Sequence, residues 1–188
     1  VNLSYSDNQV TVTTDYLTLV YTLNSEGYAS QCVYSLSSQN RIYQFSYSAE
    51  GYLTGIVENI DDTEYSSTSL TYENGDITSI SSKMNGLENK FIYEPGEESS
   101  TYHLPCLGLL EIHPLTFHIE ALYAGLLGKD PRHFTMHSCP AGSNDEKTVY
   151  SYGFDKKGNP SRMICQTTYA GGQASYYPYT RNISISFE

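Results

Sequence analysis

Three glycines, Gly27, Gly51 and Gly75, stand 24 residues apart in this chain. Each closes a short polar turn: Ser25-Glu26-Gly27-Tyr28, Ala49-Glu50-Gly51-Tyr52 and Glu73-Asn74-Gly75-Asp76. Glycine takes the positive φ that a tight hairpin turn requires. An apolar-x-Tyr pair precedes each turn (Leu19/Tyr21, Phe45/Tyr47, Leu70/Tyr72), and a hydroxyl residue follows each glycine by three (Ser30, Thr54, Thr78). Two strands per repeat make each repeat one hairpin. A lone hairpin cannot bury its apolar face, so each must stack on the next. The chain is committed to an antiparallel meander.

Strict alternation of apolar and polar residues places strands at Gln9–Thr14, Tyr16–Leu23, Tyr28–Leu36, Arg41–Ser48, Tyr52–Ile60, Tyr65–Glu73, Asp76–Met84 and Leu87–Glu94. After Glu94 the segment EPGEESST reads as an acidic linker. Then Leu104–Gly128 breaks the pattern: Leu115, Ile119, Leu122 and Leu126 recur at helical steps, with Pro114 and Gly128 placed as entry and exit. A helix over this stretch has one apolar face to bury, and only a sheet to bury it on. Lys129–Asn144, with two prolines and Gly142, reads as a long loop. Thr148–Phe154, Pro160–Thr168 and Asn182–Phe187 complete about ten or eleven strands, a number at which sheets coil or close. The expected fold is mainly β. It is a single, strongly curved antiparallel meander sheet, an open or partial barrel, with one helix packed on its concave side. The organisation is one domain over 1–188: hairpin repeats to residue 94, a helix region at 104–128, and C-terminal strands from 146.

A fourth copy of the turn follows the helix region, Tyr152-Gly-Phe154-Asp155-x-x-Gly158-Asn159. It is similar to the Tyr-Asp repeats of large secreted bacterial shell proteins. Successive Tyr/Gly hairpins, a leucine-rich helix and further strands together resemble a family of uncharacterised secreted lipoproteins of Bacteroidetes, a domain of unknown function with a porin-like fold. The resemblance covers roughly residues 16–187. It implies the fold and an extracytoplasmic location, and it brings no catalytic residue with it.

Charge narrows the partners. With 10 Lys and Arg against 21 Asp and Glu, the net charge is −11, and no basic stripe interrupts it. Nucleic acid and anionic membrane surfaces are disfavoured. Only 16% of residues are charged while tyrosine occurs 19 times, so the surface leans on Ser, Thr, Asn and Tyr, as in extracytoplasmic β proteins. Val1 is not an initiator methionine, which points to removal of a preceding segment and leaves room for a lipid anchor upstream. No apolar run reaches the length of a membrane-spanning helix. Cys32, Cys106, Cys139 and Cys165 permit three disulfide pairings in an oxidising compartment. Cys32 shares strand parity with Tyr34 and Leu36 and reads as a small buried apolar residue.

The five histidines lie between residues 103 and 137. His133 and His137, with Cys139 close behind, are weak metal candidates: on a helix the two rings would share a face, but Pro131 and Pro140 oppose a helix there. His118, beside Leu115 and Leu122, reads as a hydrogen-bonded core or edge histidine. Asn59-Ile-Asp61-Asp62-Thr-Glu64 lacks the spacing of a calcium loop and reads as a hairpin tip. Ser138 and Ser143 have histidines nearby but no GxSxG elbow, and no nucleotide fingerprint occurs. No cofactor is expected. Tyr176, Tyr177 and Tyr179, stiffened by Pro178, are the best sequence candidates for a contact surface. The resulting expectation is a non-catalytic binding or scaffold protein of the cell envelope, meeting a glycan, a peptide or another envelope protein. A carrier of a small apolar ligand between helix and sheet stands second, and a metal-dependent hydrolase using the His-rich segment third.

Overall fold

The computed structural model describes residues 1–36, 39–99, 109, 112–143, 146–156, 160–169 and 179–184. Thirteen strands form one antiparallel sheet in which every strand pairs with its neighbours in sequence. They are β1 (Asn2–Ser6), β2 (Gln9–Thr13), β3 (Thr18–Leu23), β4 (Ala29–Leu36), β5 (Gln39–Tyr47), β6 (Leu53–Ile60) and β7 (Thr63–Glu73). The rest are β8 (Asp76–Met84), β9 (Leu87–Ser99), β10 (His133–Pro140), β11 (Glu146–Phe154), β12 (Pro160–Tyr169) and β13 (Tyr179–Ser184). Among the described residues β1 and β13 do not pair with each other, so the sheet is open.

The strand count exceeds the expected ten or eleven for physical reasons. β1 is short: Leu3 and Tyr5 alternate with polar residues over only five positions, all of them exposed. The acidic stretch after Glu94 is not a linker, because β10 pairs with β9 as far as Ser99. β10 itself corrects the reading of 129–144 as a loop. Its two prolines flank or end the strand, and shifts of register on either side of Thr135 absorb the irregularity.

One face of the sheet is buried, in rows of directly opposed residues. Val10, Tyr21, Cys32, Tyr43, Glu58 and Ser66 form one such row across β2–β7, and all six are buried. The row begins apolar and ends polar. The other face is polar over β7 and β8, as in the opposed pairs Ser67–Lys83, Ser69–Ser81 and Thr71–Ser79, and carries the apolar row Val20, Val33 and Ile42 across β3–β5.

The expected helix from Pro114 to Gly128 is reduced to a 3₁₀ turn over Leu115–Phe117 and a helix α1 of five residues, Ile119–Tyr123. His118 sits between them at φ −121, outside helical values, and Gly125 turns the chain out again at φ +71. The apolar stripe is nevertheless used: Leu115, Leu122 and Leu126 are buried, and Ile119 packs against the same core. Helical periodicity reported which residues go inside, and over-reported the helix.

The turns follow the repeat. Gly27, Gly51 and Gly75 have φ +85, +91 and +89. In the first turn Asn24 Oδ1 accepts from the Tyr28 N–H at 2.9 Å; in the second, Ser48 Oγ accepts from the Tyr52 N–H at 3.3 Å. The third is tighter, a two-residue Asn74-Gly75 turn with both residues at positive φ. The hydroxyl three past the glycine bonds the facing strand in the first and third copies, Ser30 to the Thr22 carbonyl and Thr78 to that of Thr71. In the fourth copy Ser161 bonds the Gly153 carbonyl. Gly158 and Asn159 of that copy lie outside the described residues.

Candidate functional site

Two clusters of polar side chains stand out, one inside and one at the hairpin ends. Inside, Glu58 is fully buried on β6. Its Oε2 meets His113 Nε2 at 2.6 Å and accepts from Ser66 Oγ at 2.6 Å, while Oε1 lies 3.1 Å from Arg41 Nη1. Burial alone would raise the Glu58 carboxyl; the His113 and Ser66 hydrogen bonds, with the charges of His113 and Arg41, outweigh it and hold it below the ordinary carboxylate range. Thr68 and Ser82 both donate to the His113 carbonyl, at 3.0 and 3.1 Å. Next to this cluster His118 is completely buried, its Nδ1 2.8 Å from Tyr21 Oη and its ring perpendicular to that of Tyr43. Burial lowers it to about 3. Cys32 behaves as expected, buried, with its thiol pushed up to about 12 by desolvation.

The serine, histidine and carboxylate of this cluster do not form a relay. A relay needs the carboxylate on one ring nitrogen and the hydroxyl on the other. Here Glu58 and Ser66 share the same nitrogen, Nε2, and Ser66 is itself buried. The cluster anchors the crossing segment at His113 to β6, β7 and β8.

The second cluster grows from the repeat. The tyrosine after one glycine stacks on the tyrosine before the next: Tyr28 on Tyr47 with ring centroids 5.3 Å apart, Tyr52 on Tyr72 at 4.9 Å. The chain leaving α1 crosses these hairpin ends. The Ala29 N–H donates to the Leu126 carbonyl (2.8 Å), the Lys129 N–H to that of Gly51 (2.9 Å) and the Arg132 N–H to that of Gly75 (3.1 Å). Three extended residues span about 10 Å, and one hairpin is about 10 Å wide at two strand spacings. The crossing chain and the hairpins are therefore in step, three residues per repeat.

The two stacks differ in cover. All four rings are half-buried. Over the first, the crossing backbone packs close, since a Cβ on Gly128 would stand 3.1 Å from Tyr47 and 2.7 Å from the Gly51 carbonyl oxygen. The second borders a groove. An open groove of about 640 Å³ there is lined by Tyr52, Tyr72, Glu50, Asn74, Lys129 and Arg132, among others, within the roughly 300–1,000 Å³ of small-ligand sites. In the third repeat Asp76 replaces the tyrosine. It accepts from the His133 N–H and faces His133 Nδ1, both at 2.8 Å, and so pins the start of β10.

Of the sequence candidates, Tyr176 and Tyr177 lie outside the described residues; Tyr179 opens β13, and its side chain is outside them too. His133, His137 and Cys139 fall on β10, a strand rather than a helix. His133 engages Asp76 and His137 engages Glu94 at 3.1 Å, so the histidines hold separate carboxylates. Among the described residues no group of three or more metal-ligating side chains is assembled. Asp61 and Asp62 form a hairpin tip at positive φ, and Asp61 accepts from the Asn40 N–H. Ser138 Oγ bonds Tyr150 Oη at 2.9 Å. Sequence reasoning missed Glu58, Lys129 and Arg132. Glu58 did carry a signal, a carboxylate two positions from Ile56 on the inward parity of its strand.

Over residues 1–162 the chain matches the family described as a domain of unknown function (DUF4595) with porin-like fold. The chain belongs to the DUF4595 family. This DUF4595 chain is similar to a porin-like protein from Bacteroides uniformis ATCC 8492, at 27% identity over 99% of this chain and 76% of that one, with a TM-score of 0.87. A porin-like protein from Bacteroides vulgatus ATCC 8482 aligns over 99% of this chain and 86% of its own, at 11% identity and a TM-score of 0.66, a likeness of fold alone. No curated protein matches the DUF4595 sequence significantly. Among the described residues no helix is long and apolar enough to cross a membrane.

Proposed function

We propose that this DUF4595 chain is a non-catalytic binding module of the bacterial cell envelope, secreted and held there by a lipid anchor, with the Tyr52–Tyr72 groove as its contact site. The observation that carries the reading is the contrast between two equivalent tyrosine stacks. One has the crossing backbone packed against Tyr47, and the other lines a groove among polar side chains. Rigid aromatic faces bordered by hydroxyls, an amide and charges suit glycans or extended peptides, since such rings lose little side-chain freedom on binding.

The competing readings have less support. A carrier of apolar ligands needs a cavity between the crossing segment and the sheet. The cavity lined there by Leu53, Ile77, Leu109, Leu122 and Leu127 measures about 20 Å³, room for about one water. A metal-dependent hydrolase on the His-rich segment needs its ligands brought together, whereas His133 and His137 engage separate carboxylates, Asp76 and Glu94. A membrane channel needs a continuous apolar outward band; Val20, Val33 and Ile42 give an apolar row across β3–β5, but the outward pairs of β7 and β8 are Ser, Thr and Lys and interrupt it.

The test is a panel of immobilised glycans and extended peptides probed with wild type and with Tyr52→Ala/Tyr72→Ala. Retention of at least one panel member, reduced tenfold or more by the double substitution in a protein that still folds, is expected. Undiminished retention would place the site elsewhere.

A further inference from the structure

We propose that the groove selects anionic saccharides, with Lys129 and Arg132 as the carboxylate- or sulfate-reading residues. This deepens the binding reading above and rests on it. The chain has 10 cationic side chains against 21 acidic ones, so two cations flanking one aromatic pair need a reason. Two of the other cations are engaged: Arg41 pairs with Glu58, and Lys147 approaches Glu94. Lys129 and Arg132 have no carboxylate within ion-pair distance among the described residues. Both are exposed.

Their placement is built in rather than incidental. Each donates its own backbone N–H to the carbonyl of a turn glycine, and each lays its side-chain stem over that glycine. A Cβ on Gly51 would meet Lys129 Cε at 3.5 Å, and one on Gly75 would meet Arg132 Cδ at 2.9 Å and Tyr52 Oη at 2.7 Å. The approach is close at Gly75, where a Cβ would displace Arg132 or Tyr52, and Lys129 makes an ordinary contact at Gly51. Arg132 Nη1 donates to the Asn74 carbonyl at 3.3 Å, which fixes the guanidinium while its remaining donors can take an acid in a planar fork. The backbone anchoring points of Lys129 and Arg132 are one hairpin, about 10 Å, apart, and both side chains line the groove together with Tyr52 and Tyr72. An oligosaccharide would lie with a sugar ring on the tyrosines and acids reaching outward to the cations. Ser48, Thr54 and Asn74 supply hydrogen bonds to its hydroxyls. Glu50, also on the groove wall, opposes an anion and sets a limit on affinity.

Isothermal titration of the protein with tetragalacturonic acid and with its fully methyl-esterified form tests this, alongside an array of uronate, sulfated, sialylated and neutral glycans. Acidic members of the array should be retained, and the acid should bind at least tenfold more tightly than the ester. Lys129→Gln/Arg132→Gln should bring the acid-to-ester ratio close to one, and Glu50→Gln should raise it. Equal affinity for acid and ester, a preference that survives the double substitution, or an array with no acidic glycan retained would overturn the proposal. Equal affinity that is nevertheless lost in Tyr52→Ala/Tyr72→Ala would keep the groove as the site and remove only its selectivity for anions.

Discussion

Gly27 and Gly128 both have φ near +90, yet they carry different loads. A Cβ at Gly27 meets nothing within 4 Å, whereas one at Gly128 would stand 2.7 Å from the Gly51 carbonyl oxygen and 3.1 Å from the Leu53 nitrogen. Gly27→Ala should therefore cost only the strain of its backbone conformation, about 1 kcal/mol, and Gly128→Ala distinctly more, about 3 kcal/mol or above once packed backbone must move. Urea denaturation of the two variants checks the order, and equal losses would contradict the close approach. A second residue with a measurable signature is His118. Burial holds it neutral down to about 3, while in the unfolded chain it takes up a proton below about 6.5. The folded state then loses stability as pH falls from about 6.5 toward about 3, by up to about 1.4 kcal/mol per pH unit. Glu58, held below its ordinary range, adds its loss only at the acidic end. Between pH 7 and 5 wild type should lose about 2 kcal/mol, and His118→Gln much less. Parallel declines would show that His118 is not the group responsible. The sequence marked His118 as a core or edge histidine and Cys32 as a buried apolar residue, because both lie on apolar faces that periodicity reveals. It did not mark Tyr21 as the partner of His118, since 97 residues separate them and no local pattern encodes that pairing.

At the scale of elements, the hairpins were readable and the crossing segment was not. Alternation and turn glycines are local signals, and they placed β2 to β8 closely. The segment from His113 to Arg132 is shaped by what it touches. Five residues of α1 are far too few to hold a helix in isolation, and its conformation depends on burying Leu115, Ala121 and Leu122. Leu122→Asp should leave the protein unfolded or molten, because it puts an unpaired charge into that packing; an unchanged melting temperature would show that the stripe is not in the core. The three-residue step between Leu126, Lys129 and Arg132 makes a sharper prediction. One glycine inserted after Asp130 should detach Arg132 from Gly75, lowering the melting temperature by several degrees and weakening ligand binding. The same insertion after Gly142, in an exposed turn, should do little. Comparable effects would deny that the crossing chain is in register with the hairpins.

The whole molecule joins a one-dimensional plan to a single non-local device. The meander pairs every strand with its neighbour, and such a plan is written in the sequence as period and punctuation. What the sequence did not disclose is that the chain returns over the hairpin ends, packs its backbone on one tyrosine stack and borders a groove at the next. The groove follows from that return, so Lys129 and Arg132 could look like loop residues until the crossing was seen. The end of β9 after Glu94 and the whole of β10 were misread for the same reason: each is strand because the other is beside it, despite an acidic segment in one and two prolines bounding the other. Hydrogen–deuterium exchange with and without a saccharide retained from the glycan panel tests the central claim most directly. Protection confined to residues 48–54, 71–75 and 129–132 is the predicted result. Protection centred instead on residues 176–179, with those three segments unchanged, would contradict the groove as the binding site.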